Sequence, residues 1–195
     1  MNSEFNIVIV GTGGQGLITL LDVISETALA GGFDVRTSEL HGLAQRGGSV
    51  EVHITFGKKV FSPLVSQGEA NLIIALEAQE ALKACYYASK KAKTVFLVND
   101  FVIPIPGTTP KTSSQILKEI QKFSPKAILI PASDVCQKEL GSSVVAGIYL
   151  LALAVFQRLL PLKPDSILKV LKIKIPEKYF ELNKKAFDLA KNYEK

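Results

Sequence analysis

The 195 residues, 47% hydrophobic and 21% charged, suffice for one α/β domain with a sizeable core and exclude a disordered chain. A net charge of +5 and a pI near 9.1 raise nucleic acid as a partner. The lysines are scattered, however, and Lys83, Lys90, Lys118, Lys122, Lys169 and Lys172 fall on helix-like segments, where solvated helix surface accounts for them; no nucleic acid is expected.

Strand and helix patterns then alternate. Met1–Glu4 lacks a basic region ahead of the apolar run Phe5–Val10, so the start reads as a first strand and not a signal peptide. A helix follows over Gln15–Ala30, closed by Gly31-Gly32, and Phe33–Ser38 is extended, giving a βαβ opening. After a glycine-rich loop, His41–Gly48, the alternating segment Ser49–Phe56 predicts a strand. Gly57-Lys58-Lys59 predicts a hairpin turn into Val60-Phe61. Asn71–Leu76 is a buried strand feeding a helix over Glu77–Ser89, Thr94–Val98 another strand, and Phe101–Pro110, with three prolines, an irregular, partly extended loop. Ser113–Lys122 is a helix capped by Thr112 or Ser113, Ala127–Ile130 the last strand, and Ser133–Glu139, Val144–Leu160, Pro164–Lys172 and Glu177–Tyr193 are helices.

The fold expected is a single three-layer α/β/α domain over residues 1–195, with a mainly parallel, Rossmann-like sheet, an antiparallel hairpin inserted after the second strand, and a helical C-terminal region. The longest apolar stretch, Val144–Phe156, is shorter than the roughly 18–20 residues of a spanning helix, so no membrane is expected. Cys85 and Cys136 are the only cysteines. Two isolated thiols cannot hold an iron–sulfur or zinc site, so no metal is expected in this chain, and both thiols are expected reduced in the cytoplasm.

Gly11-Thr12-Gly13-Gly14-Gln15-Gly16 lies between a strand and a helix, the context in which G-x-G-x-x-G carries meaning. Its glycines allow a tight turn and close approach, and the amides of a helix start attract anions. Glu39 lies near the end of strand two, where a dinucleotide fold places its ribose acid. Three readings stand at this point: glycines that pack helix one on the sheet, a nucleotide (NAD or ATP) site, or another phosphate site. The second loop sets His41, Gln45 and Arg46 among Gly42, Gly47 and Gly48, just before a strand. Arg offers a planar fork for carboxylate or phosphate, and the paired glycines admit a second backbone. The plain alternative is a polar turn whose arginine makes a surface ion pair.

A start of the form G-x-G-G-Q-G, then Glu39-Leu40-His41-Gly42 leading to Gln45-Arg46-Gly47-Gly48-Ser49-Val50, then a strand carrying His53, resembles the gamma-type subunit of the 2-oxoacid:ferredoxin oxidoreductases. Ser62-Pro63-Leu64, Gly68-Glu69-Ala70, Leu76–Leu82 and Tyr179–Phe187 are similar to segments of its indolepyruvate branch, whereas Gly141–Gly147 departs, lacking the Asn and Met of that pattern. The resemblance implies a small subunit, inactive alone, of an enzyme that oxidatively decarboxylates aryl 2-oxoacids. Acyl passes to coenzyme A and electrons to ferredoxin. Thiamine diphosphate and the iron–sulfur clusters lie in a large partner subunit. It implies site roles for His41, Gln45 and Arg46 in the pocket, and for Gly11, Gly13, Gly14, Gln15, Gly16, Gly47 and Gly48 against a cofactor or the partner. A free-standing NAD- or ATP-binding protein is the alternative.

Overall fold

The computed structural model describes residues 4–44, 46–89, 93–104, 107, 109 and 111–193. Gln45, Lys90 and part of the Phe101–Pro110 loop lie outside the described residues. Strand β1 (Phe5–Thr12) shows why the sheet is buried on both sides. Ile7 and Ile9 face one hydrophobic cluster, Val8 and Val10 the other, and all four are essentially inaccessible. A continuous apolar run is what a strand covered on both faces requires.

Six strands make one mixed sheet in the order β2-β3-β1-β4-β5-β6. β4 (Leu72–Ala75), β5 (Val95–Asn99) and β6 (Ala127–Ile130) extend from β1 in parallel. β3 (Ser49–Gly57) pairs antiparallel with both β1 and β2 (Asp34–His41). The expected α/β class and mainly parallel sheet are borne out, and the position of the hairpin is corrected. Strands two and three are themselves its arms, joined through the His41–Gly48 loop, and β3 stands between β1 and β2. Val60 and Phe61 form no strand. The Val60 N–H donates to Asp34 Oδ2 at 2.9 Å and the Val65 N–H to His53 Nδ1 at 3.0 Å, so side chains tie this segment down instead of a ladder.

One face carries α1 (Leu17–Ala30), α4 (Ala132–Leu140), α5 (Ala146–Phe156), α6 (Pro164–Lys174) and α7 (Glu177–Leu189); the other carries α2 (Ala78–Ala84) and α3 (Ser113–Gln121). The apolar stretch is the buried α5, with every residue from Ala146 to Val155 inaccessible. It ends at Phe156, not Leu160, because the chain turns at Gln157 and Arg158 takes a left-handed φ of 57°. The helix read over Glu77–Ser89 is shorter too, passing into a 3-10 turn at Cys85–Tyr87. Thr112 caps α3 through a capping box with Gln115, which decides between the two candidate caps. Among the described residues no helix is long and apolar enough to cross a membrane. Lys83, Lys118, Lys122, Lys169 and Lys172 are exposed on helices or at their ends, as solvated helix surface requires.

Candidate functional site

The carboxyl ends of β1, β4 and β5 open on one edge of the sheet, where crevices of α/β folds take their ligands. At that edge two loops are joined backbone to backbone. The Gly13 N–H donates to Gly48 O at 2.9 Å and the Gly47 N–H to Gly13 O at 3.1 Å. Gly14, Gly16 and Gly47 have φ of 103°, 83° and 69°, a region open mainly to glycine. Gly48 is required for another reason: a Cβ there would lie 2.5 Å from the carbonyl oxygen of Ala44. Gly48→Ala is therefore expected to part the two loops and leave the strands in place. Each lost hydrogen bond is worth about 0.5–1.5 kcal/mol, so amide exchange at Gly13 and Gly47 should speed roughly tenfold, read by NMR hydrogen exchange. Unchanged exchange at both amides would refute the coupling.

Three clefts meet around the Gly13–Gly16 turn. The first, of about 420 Å³, is lined by Gly13, Gly14, Gly16, Leu17, Ile18, Glu39, His41 and Val50. The second, about 180 Å³, reaches between the strand ends and includes Gln15, Leu76, Asn99, Ser133 and Val144. The third, about 510 Å³, is an apolar groove between α1, the start of α5 and α7. Helix α1 begins at Gly16 with no side-chain cap and no acidic residue in its first turn, so its amides are open to a ligand. Gln15 folds back so that its Oε1 accepts the Thr12 N–H at 2.8 Å. That contact fixes the carboxamide, and its NH₂, without a partner among the described residues, belongs to a side chain lining two of the clefts. Gly11 lies buried beneath, where a Cβ would meet Gln15 Oε1 at 2.6 Å.

The sequence-predicted residues thus divide. His41 shares a cleft with Gly13, Gly14 and Gly16, and Gln15 lines the two adjoining ones. His41 Nδ1 lies 3.1 Å from Gly42 O, and since a carbonyl only accepts, Nδ1 carries the proton of that contact. Arg46 is exposed, lines none of the three clefts and has no partner among the described residues, where the plain alternative of a surface ion pair therefore finds no acceptor. Asn99 and Ser133 were missed. Asn99 is buried, donates to Leu76 O at 3.1 Å and Ser133 Oγ at 2.7 Å, and accepts from the Ser133 N–H. Its place as last residue of a parallel strand was the available signal. Glu77, also buried, caps α2 by accepting the Glu80 N–H and holds the Ile103 N–H. Burial pushes its carboxyl above the usual range, against the pull of those hydrogen bonds. Glu39 lines the first cleft, but β3 separates its strand from β1, unlike the adjacent strands of a dinucleotide fold.

Residues 6–193 match the family model described as pyruvate ferredoxin/flavodoxin oxidoreductase. The chain belongs to this family. It is 34% identical over 194 residues to indolepyruvate oxidoreductase subunit IorB of Archaeoglobus fulgidus, covering 97% of this chain and 94% of that protein. The corresponding subunit of Pyrococcus horikoshii is 32% identical over 192 residues, with 96% and 94% covered. The fold is shared with the gamma subunit of a keto/oxoacid ferredoxin oxidoreductase from Geobacter sulfurreducens, with a TM-score of 0.69, 22% identity and 96% of each chain covered. It also matches a 2-oxoglutarate:ferredoxin oxidoreductase from Magnetococcus marinus whose structure holds 2-oxoglutarate, coenzyme A and succinyl-CoA. There the TM-score is 0.70 at 22% identity, over 98% of this chain and 31% of that one. The family resemblance read from the two glycine loops is borne out. Nothing among these relatives supports a free-standing NAD- or ATP-binding protein.

Proposed function

We propose that this chain is the small subunit of a cytoplasmic 2-oxoacid:ferredoxin oxidoreductase of the indolepyruvate type, one domain over residues 1–195 that is inactive alone. The observation that carries the reading is similarity to indolepyruvate oxidoreductase subunits along nearly the whole length of both chains. A large partner holds thiamine diphosphate and the iron–sulfur clusters, and ferredoxin receives the electrons. Thiamine diphosphate supplies the carbanion chemistry of decarboxylation; this chain completes the pocket and receives coenzyme A.

The residues of the cleft suit that part. The open amides of α1 and the NH₂ of Gln15 are donors for phosphate oxygens, while Glu39 across the first cleft accepts from hydroxyl or amine groups. Arg46, unpaired among the described residues, extends the positive side beyond the chain's own surface. Around the clefts Ile18, Leu40, Leu43, Val144 and Tyr179 stay exposed, Leu43 completely, an apolar rim of the kind a partner covers. Cys85 and Cys136 belong to hydrophobic clusters on opposite faces of the sheet, and burial pushes each thiol up to about 11. No group of three metal-ligating side chains is found among the described residues.

Two measurements test this. Co-purified with a large thiamine-enzyme subunit, the chain should give aryl-2-oxoacid- and coenzyme A-dependent viologen reduction that neither subunit shows alone; no gain over the large subunit would overturn the reading. Purified anaerobically by itself, it should be colourless, with iron and acid-labile sulfide far below one per chain. Stoichiometric iron would overturn the division of labour.

A further inference from the structure

The His41–Gly48 loop is held at its far end by a contact that the glycine motifs do not announce. Ser49, first residue of β3, donates its hydroxyl to Glu80 Oε2 of α2. Lys83 Nζ lies 2.8 and 2.9 Å from the two oxygens of Glu80 and 3.1 Å from Ser49 Oγ, so the three side chains form a closed knot. Glu80 is 9% exposed, while Lys83 reaches it from a largely solvated position. The helix carrying both is itself pinned at the site edge, because the Ala78 N–H donates to Phe101 O and Glu77 caps its first turn. The residue before Ser49 is Gly48, whose carbonyl accepts from Gly13. A continuous path of contacts therefore runs from α2 on one face of the sheet, through Ser49 and Gly48, to the glycine turn that opens α1 on the other.

We propose that Glu80 is a positioning residue of the site: acting through Ser49, it sets where the Arg46–Gly48 segment and the Gly13–Gly16 turn stand relative to each other. The inference rests on the reading of these loops as the coenzyme A-receiving part of the enzyme. Its physical content is geometric. β3 is already paired with β1 as far as Ser49–Thr12, so the fold does not need the knot to close the sheet. What the knot adds is a charge-assisted restraint on the loop stem, on the side opposite the Gly13–Gly48 pair. Small displacements of positioning groups are costly in turnover even where stability hardly changes.

The test uses the two-subunit enzyme with coenzyme A as the probe. Ser49→Ala and Glu80→Gln should each raise the KM for coenzyme A by about tenfold with the KM for the 2-oxoacid unchanged. Ser49→Thr, which keeps the hydroxyl and suits a strand, should return the enzyme to within about twofold of wild type. The double variant should be no worse than either single one, since the two changes break the same contact. In the chain alone, Ser49→Ala should speed amide exchange at Gly13 and Gly47, whose N–H groups join the two loops, while the melting temperature holds. Equal effects on both substrates, failure of Ser49→Thr to rescue, or a coenzyme A KM within twofold of wild type in both single variants overturns the proposal. Arg46→Ala in the same assay separates the two readings. If it is damaging while the knot variants are silent, the loop remains the site and only the knot falls; if all of them are silent, the site reading falls with it. Should no activity be reconstituted, unaltered amide exchange in Ser49→Ala still overturns the proposal.

Discussion

Phe187→Ala is expected to destabilise the isolated chain by about 3–5 kcal/mol, the range for removing a fully buried phenyl ring. Phe187 is inaccessible and packs against Phe156 of α5 with ring centroids 5.2 Å apart at 61°. In a chain of this length each kcal/mol moves the melting temperature by roughly 2–4 °C, so thermal unfolding should shift by about 6–20 °C. The spacing of α7 in the sequence suggests a stripe of Tyr179, Leu182, Ala186, Leu189 and Tyr193 widened by Phe180 and Phe187. The structure moves its centre: Ala186 and Phe187 are the buried residues, while Tyr179 is exposed beside the third cleft. Tyr179→Ala should therefore leave stability within about 0.5 kcal/mol and act, if anywhere, on complex formation. A Phe187→Ala chain that melts like wild type yet fails to bind its partner would reverse this assignment and make α7 a partner helix.

The same contrast explains what the sequence could and could not disclose. β1, β4, β5 and β6 are legible because strands buried on both faces leave unbroken apolar runs, and β3 is legible from its alternation, with Val52, Ile54 and Phe56 turned to the core. Periodicity identifies strands but not their neighbours. β3 sits between β1 and β2 through hydrogen bonds that any extended segment could make, and nothing in Asp34–His41 marks it as an edge strand except its polarity. Gly57-Lys58-Lys59 has turn chemistry, yet the Val60 N–H bonds to the side chain of Asp34 and not to a strand's backbone, a contact 26 residues away in sequence. At the site, the glycines announce themselves because their backbone freedom is rare. Glu80 and Lys83 read as an ordinary i,i+3 pair on a helix, and only the fold brings Ser49 between them. The glycine loops were thus visible in advance, and their supports were not.

Arg46→Ala is expected to cut the turnover efficiency of the assembled enzyme by roughly 10- to 150-fold while this subunit stays folded. The side chain is exposed and has no polar partner among the described residues, so its removal breaks no hydrogen bond or ion pair among them. It stands one residue before Gly47, whose N–H is fixed to Gly13 O, so the position of its backbone is coupled to the glycine turn. An exposed ion pair made across to another chain would be worth only about 0–1 kcal/mol, and its loss would be nearly silent. A charge-assisted contact to a phosphate or carboxylate enclosed by the partner should be worth about 1.5–3 kcal/mol, the interval that converts to the stated loss. Arg46→Lys should restore little, because an ammonium offers a point charge where the guanidinium offers a planar, two-pronged donor. The measurement is 2-oxoacid-dependent viologen reduction by the reconstituted complex at saturating partner, with circular dichroism of the lone subunit to verify folding. Activity within about twofold of wild type would mean that Arg46 is solvated surface in the complex as it is in the chain, and the anion would then have to be held by the amides of α1 and by Gln15 alone.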